Sequence, residues 1–269
     1  MSLFIRKSSI MKMSGRILNF TTFLTVCIFS FIVAQISSDS LVISGKPLLA
    51  TIFTAVVCSY IGNFASLKGI GLAPNVGYSL TITGANALIG AIGSVLLFDD
   101  ALSARKLAGI LLIIIFSVFV VADKKRHSSD LSSGWIWFSV ISMLCFGMMA
   151  LASRYVLDSG VNSALFLSYI CGIVCILIAC ELRITNTRFR IPRSHMMVVI
   201  GASISCVVFN LTFFEAFKVA PNVGYVSAVV ASSTAAITLA AVPLFGDHLS
   251  TRKFVGVVGV LLGLTVMFI

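Results

Sequence analysis

The stretch Ala73-Pro74-Asn75-Val76-Gly77-Tyr78 decides how this chain is read, because it occurs twice. It returns as Ala220-Pro221-Asn222-Val223-Gly224-Tyr225, 147 positions later. At that offset, without gaps, Leu97-Phe98 meets Leu244-Phe245 and Asp100 meets Asp247. Leu102-Ser103 meets Leu249-Ser250, Arg105-Lys106 meets Arg252-Lys253, and Gly109 meets Gly256. Between 73–109 and 220–256, 15 of 37 positions are identical. Working outward, Asn63 falls on Asn210, Lys68 on Glu215 and Asn86 on Ser233. An ungapped match of this length marks an internal duplication.

The surroundings of the repeat fix its solvent. The 269 residues are 59% hydrophobic and 10% charged, with mean hydropathy +1.10. A soluble domain carries about 25% charge, and a chain this apolar has more hydrophobic surface than one core can hide. Lipid is the solvent that remains. The net charge of +10 comes from basic residues lying mostly between apolar runs, where they face anionic lipid and set orientation. Nucleic acid is not expected as a partner, since no basic helix is interleaved with aromatics.

Nine segments are apolar and long enough to cross a bilayer as helices: 17–36, 48–68, 74–97, 105–122, 134–156, 161–182, 196–217, 221–245 and 252–269. They are continuously apolar and do not alternate, which favours helices over barrel strands. Five spans separate the two copies of the motif. An odd number turns the second copy over, giving an inverted-topology repeat, a construction used by secondary transporters with substrate near the midplane. The repeats divide the chain at 1–126, four helices, and 127–269, five. Two full units need 294 residues, 25 more than are present, so the expectation is that the first helix of copy one is missing or that the start has been placed too late.

The pattern A-P-N-x-G-Y opening a helix, followed by L-F-x-D-x-L-S-x-R-K with Gly three residues on, resembles the EamA-type branch of the drug/metabolite transporter superfamily. Asp100 and Asp247 stand where that family more often has Glu. The resemblance implies an all-α polytopic fold of ten helices in two inverted five-helix halves, here lacking the first, and movement of small metabolites. It implies no particular cargo.

Polar residues inside spans are costly in hydrocarbon unless paired or hydrated, so they are the candidate substrate contacts. These are Asn63, Tyr78, Asn86, Asn210, Glu215, Tyr225, Ser233 and Thr234. For the asparagines the competing reading is interhelical hydrogen bonding. For the tyrosines it is anchoring at the membrane interface. Glu215, opposite in charge to its repeat mate Lys68, suits a coupling proton or a substrate amine; the plainer alternative is an i,i+3 pair with Lys218. Pro74 and Pro221 fit the first helical turn, with Asn75 and Asn222 serving its free amides or the helix start attracting an anion. Ser103 and Ser250 read as N-caps near Asp100 and Asp247, Arg154 as a snorkelling side chain, and Gly256, Gly259 and Gly263 as a packing face.

The seven cysteines lie in apolar runs without C-x-x-C, as small buried thiols more than as metal or redox groups. His127, His195 and His248 lie in or beside loops, and no hydrolase or metalloprotease motif is present. No catalytic residue, metal or cofactor is expected, and the chain is not read as an enzyme. The N-terminus and the loops after even-numbered spans hold 14 of the 19 Lys and Arg. The positive-inside rule then puts the N-terminus in the cytoplasm, whereas the family pattern without its first helix implies the reverse. The function expected is secondary transport of a small metabolite by alternating access in the plasma (inner) membrane. The partners expected are that substrate, membrane lipid, protons and a second copy of the chain. The alternative is a non-transporting membrane scaffold on the same fold.

Overall fold

A computed structural model of the chain describes residues 15–37, 40–73, 76–121, 134–186, 193–245 and 250–269. Among the described residues the ordered elements are all helical. In chain order they are α1 (Gly15–Ser37), α2 (Gly45–Leu72), α3 (Val76–Gly84), α4 (Asn86–Phe98) and α5 (Ala104–Val121). There follow α6 (Gly134–Asp158), α7 (Ser163–Ile184), α8 (Arg193–Val219), α9 (Val223–Phe245) and α10 (Thr251–Phe268). Eight helical stretches are long and apolar enough to span a membrane among these residues, with α3 and α4 counted together. The expected span 105–122 is the 18-residue helix α5. The chain is an all-α polytopic membrane protein. Helices dominate because hydrocarbon offers backbone groups no water, so each must bond within its own segment.

Hydroxyl side chains in the spans follow the same logic. Thr22 donates to Leu18 O at 3.0 Å, Ser30 to Val26 O at 2.6 Å, Thr54 to Ala50 O at 2.7 Å and Ser117 to Ile113 O at 2.7 Å. Each of these four hydroxyls is satisfied by a carbonyl of its own helix, whereas the hydroxyls of Thr83, Ser94, Ser142 and Ser203 are buried without a partner among the described residues.

Among the described residues, two spans depart from regular helix. Within α2, Thr54–Ile61 is wound as π-helix. The third span, expected as one helix over 74–97, is two: α3 ends at Gly84 and α4 starts at Asn86. At the break, Ala85 N–H reaches both Thr81 O (3.2 Å) and Ile82 O (3.1 Å), and Leu88 N–H bonds Ala85 O at 3.0 Å. The local sequence Thr81-Ile82-Thr83-Gly84 joins β-branched residues to glycine, all weak helix formers. Pro243 sits inside α9, where it supplies no N–H to the ladder.

The helices group into two compact units, 1–60 with 152–219 and 61–151 with 220–269. This grouping differs from the division into sequence repeats, because each unit draws residues from both. In the first unit α1 packs along α7 and α8, and the start of α2 lies on α7. In the second, α5 packs along α10, and α9 meets α4, α5 and α10.

The second unit is closed by small residues. Gly256, Gly259 and Gly263 form the packing face expected of them. A methyl on Gly256 would stand 2.6 Å from the Val120 backbone, one on Gly263 2.8 Å from Ile113, and one on Gly259 would fall on the Phe116 ring. Without a hydrophobic force between helices in lipid, such close backbone approach supplies the attraction. Gly69 lies against Ser79 and Ser139, whose hydroxyls share a hydrogen bond of 2.7 Å, joining α2, α3 and α6.

Candidate functional site

The second unit carries six of the eight residues singled out from sequence. Asn222 is fully buried, and its role is the expected cap extended across helices. Its Oδ1 accepts from Gly224 N at 2.9 Å and its Nδ2 donates to Ala91 O at 3.1 Å. Pro74, Asn75, Asp247, His127 and His248 lie outside the described residues, as does 122–133. Tyr225 is 7% exposed, donates to Ala101 O at 2.9 Å, and lies under the Lys106 ammonium, 4.7 Å from the ring centroid. It pins α9 to the turn before α5. Its repeat mate Tyr78 is 39% exposed and stacks on Trp135, centroids 6.4 Å apart. Ser103 and Ser250 cap α5 and α10, accepting from Lys106 N at 3.3 Å and Lys253 N at 3.4 Å. Asp100 keeps one buried carboxylate oxygen without a hydrogen-bond partner.

Asn86 is half-buried at the first position of α4, just past the helix break. Beside that break is a cavity of about 50 Å³ lined by Thr81, Gly84, Ser117 and Thr234 with Leu80, Ile114 and Ala231. It has room for a few waters. Thr234 bonds its own helix at Ala231 O, 2.8 Å away, while Ser233 is exposed. Asn63 is half-buried on α2, one residue beyond the Gly62 contact with Cys145 and Phe146. Among the named candidates of this unit, the cavity is lined by Thr234 alone.

The first unit holds Asn210 and Glu215, both on α8. Asn210 turns back on its own helix, donating to Cys206 O at 2.8 Å and Cys206 Sγ at 3.2 Å. Glu215 accepts a hydrogen bond from the Ser163 hydroxyl and forms no ion pair with Lys218, so the plainer alternative of an i,i+3 pair does not hold. Arg154 does more than snorkel. Its Nη1 donates to Phe217 O at 3.0 Å and its Nε pairs with Asp158 at 2.8 Å. A guanidinium on the last carbonyls of α8 satisfies groups that a helix end leaves free.

Two hollows flank the end of α8. One, of about 550 Å³, is lined by Glu215, Ser163, Asn162, Ser37 and Thr212 with an apolar wall of Val33, Ala164, Leu211, Ala216 and Val219. The other, of about 450 Å³, is lined chiefly by Ser37, Ser40, Ser44, Ser159, Asn162 and Lys218, with the turn at Gly160. Gly160 has φ of 88°, a left-handed conformation open to glycine at little cost. Sequence reading did not find Lys218, Ser163 or Ser37 as site residues. The one signal was Asn162 ahead of an apolar run, an N-cap pattern; it accepts from Ala164 N at 2.9 Å and Leu165 N at 3.3 Å. At the opposite end of α7, Glu181 pairs with Arg16 at 3.1 Å and accepts from Tyr60 at 3.4 Å.

A family model described as the EamA-like transporter family matches residues 133–269, half of the chain. The chain belongs to the EamA-like transporter family. The match covers the second repeat, and the first carries the same motif at the 147-residue offset. This EamA-like chain is thus a membrane transporter by family. A comparison with curated proteins gives no match. A solved structure described only as "Crystal structure of protein" aligns with TM-score 0.82 and 15% identity, over 99% of this chain and 92% of that one. At that identity the likeness is one of fold.

Proposed function

We propose that this EamA-like chain is a secondary transporter that moves a small metabolite across the plasma membrane by alternating access between repeats 1–126 and 127–269. The observation that carries the reading is irregular backbone within two spans: the π-wound Thr54–Ile61 and the break at Ala85 beside a cavity. At membrane depth, non-helical backbone is tolerated where protein buries it or a cavity hydrates it, and π segments recur at functional sites. A passive scaffold needs neither. Family membership supports transport, and the odd number of spans between motif copies supports inversion. Asn86 and Thr234 beside the break are the polar groups we assign to substrate contact in the second unit, and Asn210 and Glu215 those in the first, with a proton gradient as the drive.

Flux of labelled solutes into vesicles reconstituted with the full chain, with and without a pH gradient, tests the proposal. Saturable flux that rises with the gradient is expected. Empty-vesicle rates across a broad metabolite panel would contradict it.

A further inference from the structure

We propose that the two hollows at the end of α8 form one site for a small zwitterion, its ammonium at Glu215 and its carboxylate or phosphate at Lys218. The hollows share Ser37 and Asn162 as a common wall. Among the described residues, each contains one charged side chain, and the two are of opposite sign: Glu215 in the larger, Lys218 in the more polar. Residues three apart on a helix are surface neighbours, and a Glu–Lys pair at that spacing ordinarily attracts. These two do not pair. Glu215 turns to the Ser163 hydroxyl, which leaves its second oxygen for a donor from a ligand, and Lys218 has no carboxylate within ion-pair distance among the described residues. An ammonium brings three donors and no acceptor, and a carboxylate brings acceptors alone.

The shared wall is fixed before any ligand arrives. Asn162 Nδ2 donates to Ser37 Oγ at 3.2 Å and Ser37 O at 3.3 Å, while Ser37 donates to Val33 O at 2.8 Å. Arg154 holds the end of α8 through Phe217 O. Sites held by such supporting bonds lose little freedom on binding. A simple cation would meet Glu215 but be repelled by Lys218, and a simple anion would suffer the reverse. Glu215 and Lys218 are both exposed, and a ligand with both charges meets a partner of opposite sign at each, the condition for discrimination between ligands. A dissolved zwitterion and the headgroup of phosphatidylethanolamine share this chemistry. Use of the site in transport rests on the transporter reading above; binding does not.

The test is binding to the purified full-length protein, read as thermal shift and by calorimetric titration. The soluble probes are L-leucine, N-acetyl-L-leucine without the ammonium, and L-leucine methyl ester without the carboxylate. The lipid probes are nanodiscs of phosphatidylethanolamine or phosphatidylglycerol. Either L-leucine or phosphatidylethanolamine should bind at least about tenfold more tightly than its single-charge analogues, and Glu215→Gln and Lys218→Met should each remove that preference. Which arm responds identifies the source. The double exchange Glu215→Lys with Lys218→Glu should restore part of the preference, since it reverses the site without emptying it. Equal binding of all probes, no binding in either arm, or a preference unmoved by both single variants would overturn the proposal. Flux of another solute in the vesicle assay alongside such a result would leave transport standing and remove the zwitterion alone.

Discussion

At the scale of single residues, the two copies of one motif do different work. Tyr78 and Tyr225 occupy the same repeat position, yet Tyr225 is buried with its hydroxyl on Ala101 O and Tyr78 is exposed against Trp135. Nothing local separates them, because Ala101 lies 124 residues from Tyr225. Tyr225→Phe should destabilise the protein by about 0.5–1.5 kcal/mol, the net worth of a hydrogen bond, and leave solute flux unchanged. Thermal unfolding in detergent with vesicle flux checks both; lost flux with intact stability would make Tyr225 a wall of the substrate path. In the second copy of the motif a Cβ on Gly224 would fall on Ala91. Gly224→Val should cost about 1–3 kcal/mol or more through overpacking, measured by the same unfolding experiment. Glu215 was legible as an acid within a span, but its hydrogen-bond partner was not, since Ser163 stands 52 residues away.

At the scale of elements, hydropathy sufficed to place the helices, because a lipid solvent makes apolar length almost synonymous with a span. The internal structure of the spans was less visible. The break at Gly84–Ala85 follows from weak helix formers, a preference that packing routinely overrides. The π segment Thr54–Ile61 has no composition of its own; its buried residues Thr54, Ala55, Cys58 and Ser59 are ordinary for a packed helix. Gly84 tests whether the break matters. A methyl added there meets nothing within 4 Å, so Gly84→Ala should fold normally and gain about 0.4–1 kcal/mol from a stiffer unfolded chain. Slower flux at unchanged or higher stability is the expected outcome, read from paired flux and unfolding measurements. Failure to fold would contradict the open space beside the break. In the same way Gly259→Leu should separate α5 from α10, since its side chain would occupy the Phe116 ring position.

At the scale of the whole molecule, the duplication was the most informative feature of the sequence, and the family match to residues 133–269 falls on one of its copies. The compact units were not legible, because each is assembled from distant parts of both repeats; contacts of that range leave no periodic trace in the chain. The candidate site was legible as a set of polar residues and not as an arrangement, for the same reason. What transport by inverted repeats demands of the whole chain is a difference in sidedness between the two Leu-Phe-x-Asp sequences, at 97–100 and 244–247. The direct measurement is their sidedness in sealed membranes, with a small accessible tag inserted after each of the two sequences in an otherwise intact, flux-competent protein. The account predicts that the two tags label from opposite faces; labelling of both from the same face would contradict it.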